Sequence, residues 1–378
     1  MHIAYNGWFW DQPNTGSGMY LRHLLHTLRR IAPDLDMTLI VPPHNRSLDN
    51  LPENVSVVNA SGRGGKLGKV LFEQRAYPQL VRRVNADIAH VPYWAPPLSS
   101  PARLVTSILD VIPLVMPEYA GGVAGRLYTS LVAAAANGSA HTLTLSNAAK
   151  ADIIQYLDLP EDRITPTYLA ADSAYHPKIG KERDAAVREK YNLPDDFILC
   201  LGQFDRRKNI NQLFLAYTYI MQAEGDAYPL VITGREPAWR DPLFPNMRDY
   251  AEKLQITDHL HWIGYVDAED MPSLYRLANV FVFPSLYEGF GLPVVEAMAC
   301  GTPVVANDIS CLPEIVGEGA YLVKPGNARE MAGAILALLG QDALRDSLIN
   351  QGLARATFFN WRKTAQQTLA VYEQVMAM

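Results

Sequence analysis

Cysteine is scarce: three in 378 residues, Cys200, Cys300 and Cys311, set wide and irregularly. An odd count without a repeated spacing gives neither a disulfide framework nor a zinc pattern. Cys200 lies in FILCLGQ, an apolar run that reads as a buried strand, where a thiol packs as a small hydrophobe. The compartment expected is the reducing cytoplasm. Charge is sparse too: 19% of residues are charged and the formal net charge is −6. A nucleic-acid partner would call for a strongly basic domain, so none is expected. No stretch approaches the roughly 18 apolar residues of a membrane span. The opening MHIAYNGWFW lacks a basic region followed by an apolar core, so no secretory leader is expected. There is no low-complexity tract and no short internal repeat.

What the chain has is length and apolar content. With 378 residues and 49% hydrophobic, it is too long for one ordinary core, and two domains are expected. Short β-rich runs recur: HIAYNG, MTLIVPP, VSVVNA, DIAHVP, LVTSILD and HTLTLS. Their unbroken apolar character suits strands covered on both faces. Helical patterns near 18–32, 67–84, 125–137 and 147–157 separate several of them. This is the alternation of a doubly wound α/β fold. Between Asp172 and Lys190 the chain turns polar, and then the rhythm restarts with FILCLGQ, YPLVITG, LHWIGY, VFVFPS, PVVAN and AYLV. The reading is two Rossmann-type domains facing across a cleft, residues 1–172 and 173–358. A C-terminal helix, 359–378, crosses back onto the first.

Within the second domain, PSLYEGFGLPVVEAMACGTPVV (284–305) carries two acids, Glu288 and Glu296, with seven residues between them. VFVFPS is a strand, LYEGFG a loop, and Pro293 suits the first turn of a helix that stops at Gly301. Glu288 is then in the loop and Glu296 in the first helical turn. Glycines 289 and 291 let backbone approach a ligand, and the N–H groups of Gly291, Leu292 and Val294 form an anion site at the helix head. Carboxylates accept well from paired hydroxyls. A sugar–diphosphate–nucleoside fits the order acid, amides, acid. The plain alternative is a dipole-stabilising Glu296 and a solvated Glu288.

A second pattern is LGQFDRRKN (201–209). Gly202 ends a strand, and Arg206, Arg207 and Lys208 are three consecutive cations in the loop after it. Cations there suit a leaving diphosphate. The alternative is a solvated basic turn. A third, NTGSGMYLRHLL (14–25), sets Gly16 and Gly18 before a helix, a partial Gly-rich loop that could cradle phosphate or turn the chain.

Together these features resemble the retaining glycosyltransferases of the GT-B fold, in the large family four group. EGFGLPVVE matches that family's E-x7-E motif, and RRKN resembles its PRKN loop. GYVDAEDMPSLYRLANVFVFPS (264–285) and GTPVVANDISCLPEIVG (301–317) match the segments around the motif. LDVIPLVMPEY (109–119) and TLSNAAKADI (144–153) match the first domain of mannosyltransferase-like members.

The resemblance implies a donor-binding second domain and an acceptor-side first domain. It implies that Glu288 holds the donor sugar's hydroxyls and Glu296 the ribose. Lys208 and Arg207 would bind the diphosphate, with Arg206, Gly202 and Leu292 beside them and the Phe290 and Gly291 amides at the sugar. Gly16, Gly18 and Asp110 would line the acceptor side. It further implies a nucleotide-sugar donor, GDP-mannose first among them, a glycan or lipid-linked sugar acceptor, and no metal or other cofactor. Two positions depart from the family pattern: Leu109 stands where many members carry a histidine, and Gln203 where many carry an arginine. No catalytic histidine is assigned, and His90 reads as a packed or capping residue. These departures keep two alternatives open, a non-catalytic nucleotide-sugar-binding subunit and a sugar-nucleotide epimerase. DLD at 34–36 has the letters of a metal motif but reads as a turn. The basic, partly amphipathic stretch 62–83 reads as a surface helix, with contact to anionic lipid or a lipid-diphosphate as the alternative.

Overall fold

The computed structural model describes residues 1–43, 48–62, 64–239 and 243–378. The chain divides into two compact units, Met1–Leu169 with Asn360–Met378, and Ala170–Phe359. Each is a parallel sheet flanked by helices.

In the first unit the strands are β1 (His2–Asn6), β2 (Asp36–Val41), β3 (Val55–Asn59), β4 (Ile88–Val91), β5 (Arg103–Ser107), β6 (His141–Thr144) and β7 (Ile164–Pro166). They pair in the order β3-β2-β1-β4-β5-β6-β7. β4 and β6 are buried at every position, whereas β3, at one edge, is mostly half-buried or exposed. Helices on both faces bury such inner strands throughout, polar members such as His90, Thr142 and Thr144 included. The short β7, in RITPTYL, has too little apolar length to stand out in the sequence.

In the second unit the strands are β8 (Ile198–Leu201), β9 (Leu230–Thr233), β10 (Leu260–Gly264), β11 (Val280–Phe283), β12 (Val304–Asn307) and β13 (Tyr321–Val323). Their order is β10-β9-β8-β11-β12-β13. Both sheets reverse direction of winding once, beside β1 and beside β8. Ligands of doubly wound sheets bind outside the carboxyl ends of the strands at such a reversal.

The stretch 62–83 departs from the single helix expected. It forms a helix Gly65–Leu71, a π-turn Phe72–Ala76 and a helix Tyr77–Arg83. Pro78 has no N–H for the preceding turn, and the Tyr77 N–H bonds Phe72 O, five residues back. The extra residue carries Glu73 fully inward. There it accepts from Tyr93 and Tyr128 (3.0 and 2.9 Å) and pairs with Lys69 at 2.8 Å.

The C-terminal helix, Trp361–Ala377, is part of the first unit. Asn360 caps it, accepting from Arg362 N at 2.7 Å. Trp361 stacks on His23 with ring centroids 4.7 Å apart. Thr364 donates to Tyr168 O. His90 is wholly buried in this seam. Its Nδ1 shares a 2.6 Å hydrogen bond with Tyr372 and its Nε2 a 2.8 Å one with Ser107. DLD (34–36) sits at the start of β2, the opposite end of the sheet from the strands' carboxyl ends.

Candidate active site

β8 and β11 are hydrogen-bonded neighbours, so the loops that follow them emerge side by side at the reversal of the second sheet. The first begins at Gly202, whose N–H donates to Thr233 O at 2.6 Å. A Cβ there would lie 2.7 Å from that oxygen and 2.5 Å from the Phe204 ring, so glycine is required by close packing. Asp205 then caps a 3-10 turn, Arg206–Lys208, accepting from Arg207 N at 3.2 Å. Asn209, at φ 53°, turns the chain into the helix Ile210–Glu224. Asparagine tolerates this left-handed conformation better than most residues. A 3-10 turn spreads successive side chains around its axis, and the three cations part company: Arg206 is exposed, Arg207 is buried, and Lys208 lies between.

The second loop is tied to the first through its backbone. Leu286 N donates to Arg207 O at 2.8 Å, and Arg207 Nη1 donates to Tyr287 O at 2.9 Å. Three donors then converge on one carboxylate oxygen, Glu288 Oε1: Arg207 Nη1 at 2.8 Å, Lys208 Nζ at 2.6 Å and Ser285 Oγ at 2.6 Å. Ser310 Oγ holds the Glu288 backbone from the far side, donating to its O at 2.9 Å and accepting from its N at 3.3 Å. Burial alone would push the Glu288 carboxyl up, but the charges of Lys208 and Arg207, with the bonds from Lys208 and Ser285, hold it below its ordinary value. It is therefore a carboxylate near neutral pH, and the cations beside it are already paired.

Glu296 occupies a different environment. The helix runs Leu292–Cys300 behind Gly291, which adopts φ 83°. Glu296 is its fifth residue, so it lies in the second turn and not the first, facing inward. Its Oε2 accepts from Tyr275 at 3.1 Å, and Tyr175 bonds the same carboxyl. Burial pushes it up to about 7, against those two bonds, and Asp172 adds to the rise. The anion site at this helix head is also narrower than expected. Pro293 has no N–H, and Val294 N is spent on Gly291 O at 3.0 Å. The donors the head can offer are those of Gly291 and Leu292.

The other expected positions fall out as follows. Phe290 is buried, its ring edge-on to Phe359 at 5.4 Å. Gly16, Gly18 and Asp110 all belong to the first unit. Gly16 opens the helix Gly16–Ile31 and is exposed, with room for a Cβ. Gly18 is buried, and a Cβ would lie 2.1 Å from Gln12 O, so its smallness serves chain packing and not an opening for ligand. Asp110 Oδ1 accepts from Ile112 N at 3.2 Å and so shapes the turn after β5. Among the described residues no group of three or more His, Cys, Asp or Glu side chains is placed to hold a metal ion.

Comparison with known proteins decides the family. Residues 183–355 match the model of glycosyl transferases group 1, and residues 14–174 that of glycosyltransferase family 4. The O-antigen chain mannosyltransferase B of Escherichia coli is 33% identical over 377 residues, covering 96% of both chains. This chain is a family 4 glycosyltransferase. Solved structures agree on the fold. Sucrose-phosphate synthase from Thermosynechococcus elongatus superposes with a TM-score of 0.79 at 23% identity, over 100% of this chain and 99% of that one. WaaG, a glycosyltransferase involved in lipopolysaccharide biosynthesis, gives 0.75 at 14% identity, over 98% and 99%. The glycosyltransferase thus has the GT-B fold, with two parallel-sheet α/β units and a C-terminal helix.

Sequence reasoning named Arg207 and Lys208 for the diphosphate and not as the partners of Glu288, and it did not find the other side chains that hold the two glutamates. Tyr175 lies in the polar segment that starts the second unit, and Tyr275 in the helix Met271–Leu277. Neither sits near Glu296 in sequence, and aromatics in such segments look like ordinary core. Ser310, at φ 56°, and Asn307, donating to Pro284 O at 2.6 Å, brace the glutamate loop from β12. Their only signal is polarity inside an apolar run, ANDIS.

Proposed function

We propose that this glycosyltransferase moves mannose from GDP-mannose onto a growing glycan or a lipid-linked sugar, with retention at the anomeric carbon. The observation that carries the donor reading is the convergence of Arg207, Lys208 and Glu288 at the sheet reversal, with Glu296 set deeper on the following helix. That arrangement offers cationic and amide donors for a diphosphate with one carboxylate to each side. Mannose is favoured by the relative that spans nearly the whole chain, a mannosyltransferase.

In this reading Lys208 and the exposed Arg206 meet the diphosphate, helped by the amides at the head of Leu292–Cys300. Arg207 is the brace: it fixes the backbone of one loop against the other and keeps Glu288 in place. Glu288 accepts from hydroxyls of the donor sugar and Glu296 from the ribose pair. The bond from the anomeric carbon to the phosphate oxygen breaks, and a bond to the acceptor oxygen forms on the same face. The acceptor's proton passes to the departing phosphate, so no histidine base is needed and Leu109 is tolerated. The growing negative charge meets protein cations, so the reading requires no metal.

Calorimetry with a panel of nucleotide sugars tests the donor, and product analysis tests the stereochemistry. GDP-mannose is expected to bind tightest and to yield an α-mannoside at the same rate with a chelator present. Tighter binding of a UDP-sugar would displace the donor assignment, a β-linked product would end the retention claim, and chelator inhibition would bring in a metal.

A further inference from the structure

The first unit carries a surface that the transfer reading does not use. Apolar side chains exposed by more than half are few, and five of them gather on the helix Gly65–Leu71, the helix Gly122–Ala136 and the loop before β5. Leu67 is 74% exposed, Val123 and Leu127 are each 67%, Leu98 is 61% and Leu71 is 54%. Leu67 and Leu71 are four residues apart, as are Val123 and Leu127, so each pair shares one helix face.

Hydrogen bonds join these pieces into one surface. Lys69 Nζ donates to Tyr128 OH at 2.9 Å, linking the two helices beside Leu71 and Leu127. Leu98 N donates to Gln74 Oε1 at 2.9 Å, and Gln74 Nε2 to Pro96 O at 3.1 Å, holding Leu98 against the turn that follows Leu71. The underside is rigid, because Tyr128 and Lys69 both bond the buried Glu73.

The charge on this surface has one sign. Exposed Lys66, Arg75 and Arg126 are interleaved with the leucines, and exposed Arg82 and Arg83 follow. Across 64–83, 95–103 and 121–136 the one acid is Glu73, which is buried and paired. The flanking exposed acids are Asp87 and Glu118. Exposed leucines ringed by cations, without acids, complement a surface that is apolar beneath and negative on top. A second copy of this chain would set cation against cation, and a protein partner would need an apolar patch ringed wholly by acids, whereas an anionic bilayer supplies both over its whole surface.

We infer that this face docks on an anionic lipid bilayer, with Leu67, Leu71, Leu98, Val123 and Leu127 entering the headgroup region and Lys66, Arg75 and Arg126 on lipid phosphates. The inference does not depend on which sugar is transferred, or on the transfer reading at all. No helix among the described residues is long and apolar enough to cross a membrane, so attachment here is peripheral and reversible.

Co-sedimentation with vesicles tests it. The whole chain is expected to pellet with phosphatidylcholine vesicles containing phosphatidylglycerol, and to release as salt rises. Vesicles of phosphatidylcholine alone should bind it at least tenfold less. Leu67→Ser with Leu127→Ser, both at exposed positions, should cut partitioning tenfold or more with all charges intact. Lys66→Glu with Arg126→Glu should abolish the preference for anionic lipid. Circular dichroism and the thermal melt are expected to match wild type in both variants and report that they are folded. Wild type left in the supernatant would overturn the inference, as would a leucine variant that binds as wild type does. A dimer in light scattering that the leucine variant loses, without vesicle binding, would assign the face to self-association instead.

Discussion

Glu288 and Glu296 differ by environment more than by position, and their responses to mutation should differ accordingly. Glu296 titrates near 7 in the folded chain against about 4.5 unfolded, because burial disfavours its charge. The native state keeps this proton longer than the unfolded state does. Stability therefore falls as pH rises through that window, by on the order of 3 kcal/mol in all. Glu296→Gln should melt with wild type at pH 5 and above it at pH 8. If the ionised carboxylate receives the ribose, GDP affinity of wild type should rise between pH 6 and 8. That of Glu296→Gln should be flat and roughly tenfold or more weaker, as loss of a charge-assisted bond implies. Glu288 is held ionised by the cations it neutralises. Glu288→Gln leaves Arg207 and Lys208 facing each other without their anion, at a cost of about 3 kcal/mol to the free protein. A bound diphosphate supplies the missing charge, so GDP should raise the melting temperature of Glu288→Gln more than that of wild type. Equal shifts would mean the diphosphate does not reach these cations.

At the scale of elements, two glycines with the same appearance in NTGSG are separated by what lies beside them. Gly18→Ala drives a Cβ into Gln12 O and should cost about 1–3 kcal/mol, read by denaturant melts. Gly16→Ala meets open space and should leave stability equal or slightly higher. A fall in transfer rate there would place ligand beside Gly16. The sequence revealed elements whose cause is local. VFVF is apolar on both faces and reads directly as a central strand, and Gly301 marks a helix end at φ 78°. It did not reveal elements whose cause is a distant partner. The π-turn at Phe72 follows from Pro78, but the pattern 67–84 still counts as one helix by periodicity. The loop carrying Glu288 is held by Arg207, eighty-one residues earlier, and by Ser310. E-x7-E announced two acids. It gave no sign that one would be ionised among cations and the other half-protonated among tyrosines.

For the whole molecule, the two units should answer acid differently. His90 is buried neutral, its pKa pushed down to about 3 by burial, while the unfolded chain takes up a proton near 6.5. Stability in the first unit is then lost as pH falls below that value, about 2 kcal/mol by pH 5. Tyr372→Phe removes the partner of His90 Nδ1 and should cost about 1–3 kcal/mol in the same unit. Proteolysis at pH 5 is expected to cut the first unit before the second, and GDP to protect the second. The C-terminal helix adds a consequence in the order of synthesis. The second unit is one unbroken run of chain, Ala170–Phe359, while the first is split around it. On the ribosome the second unit can finish folding as soon as it has emerged. The first, begun earlier, stays open along its His90 seam until the last residues arrive, so the domain that is made first is completed last.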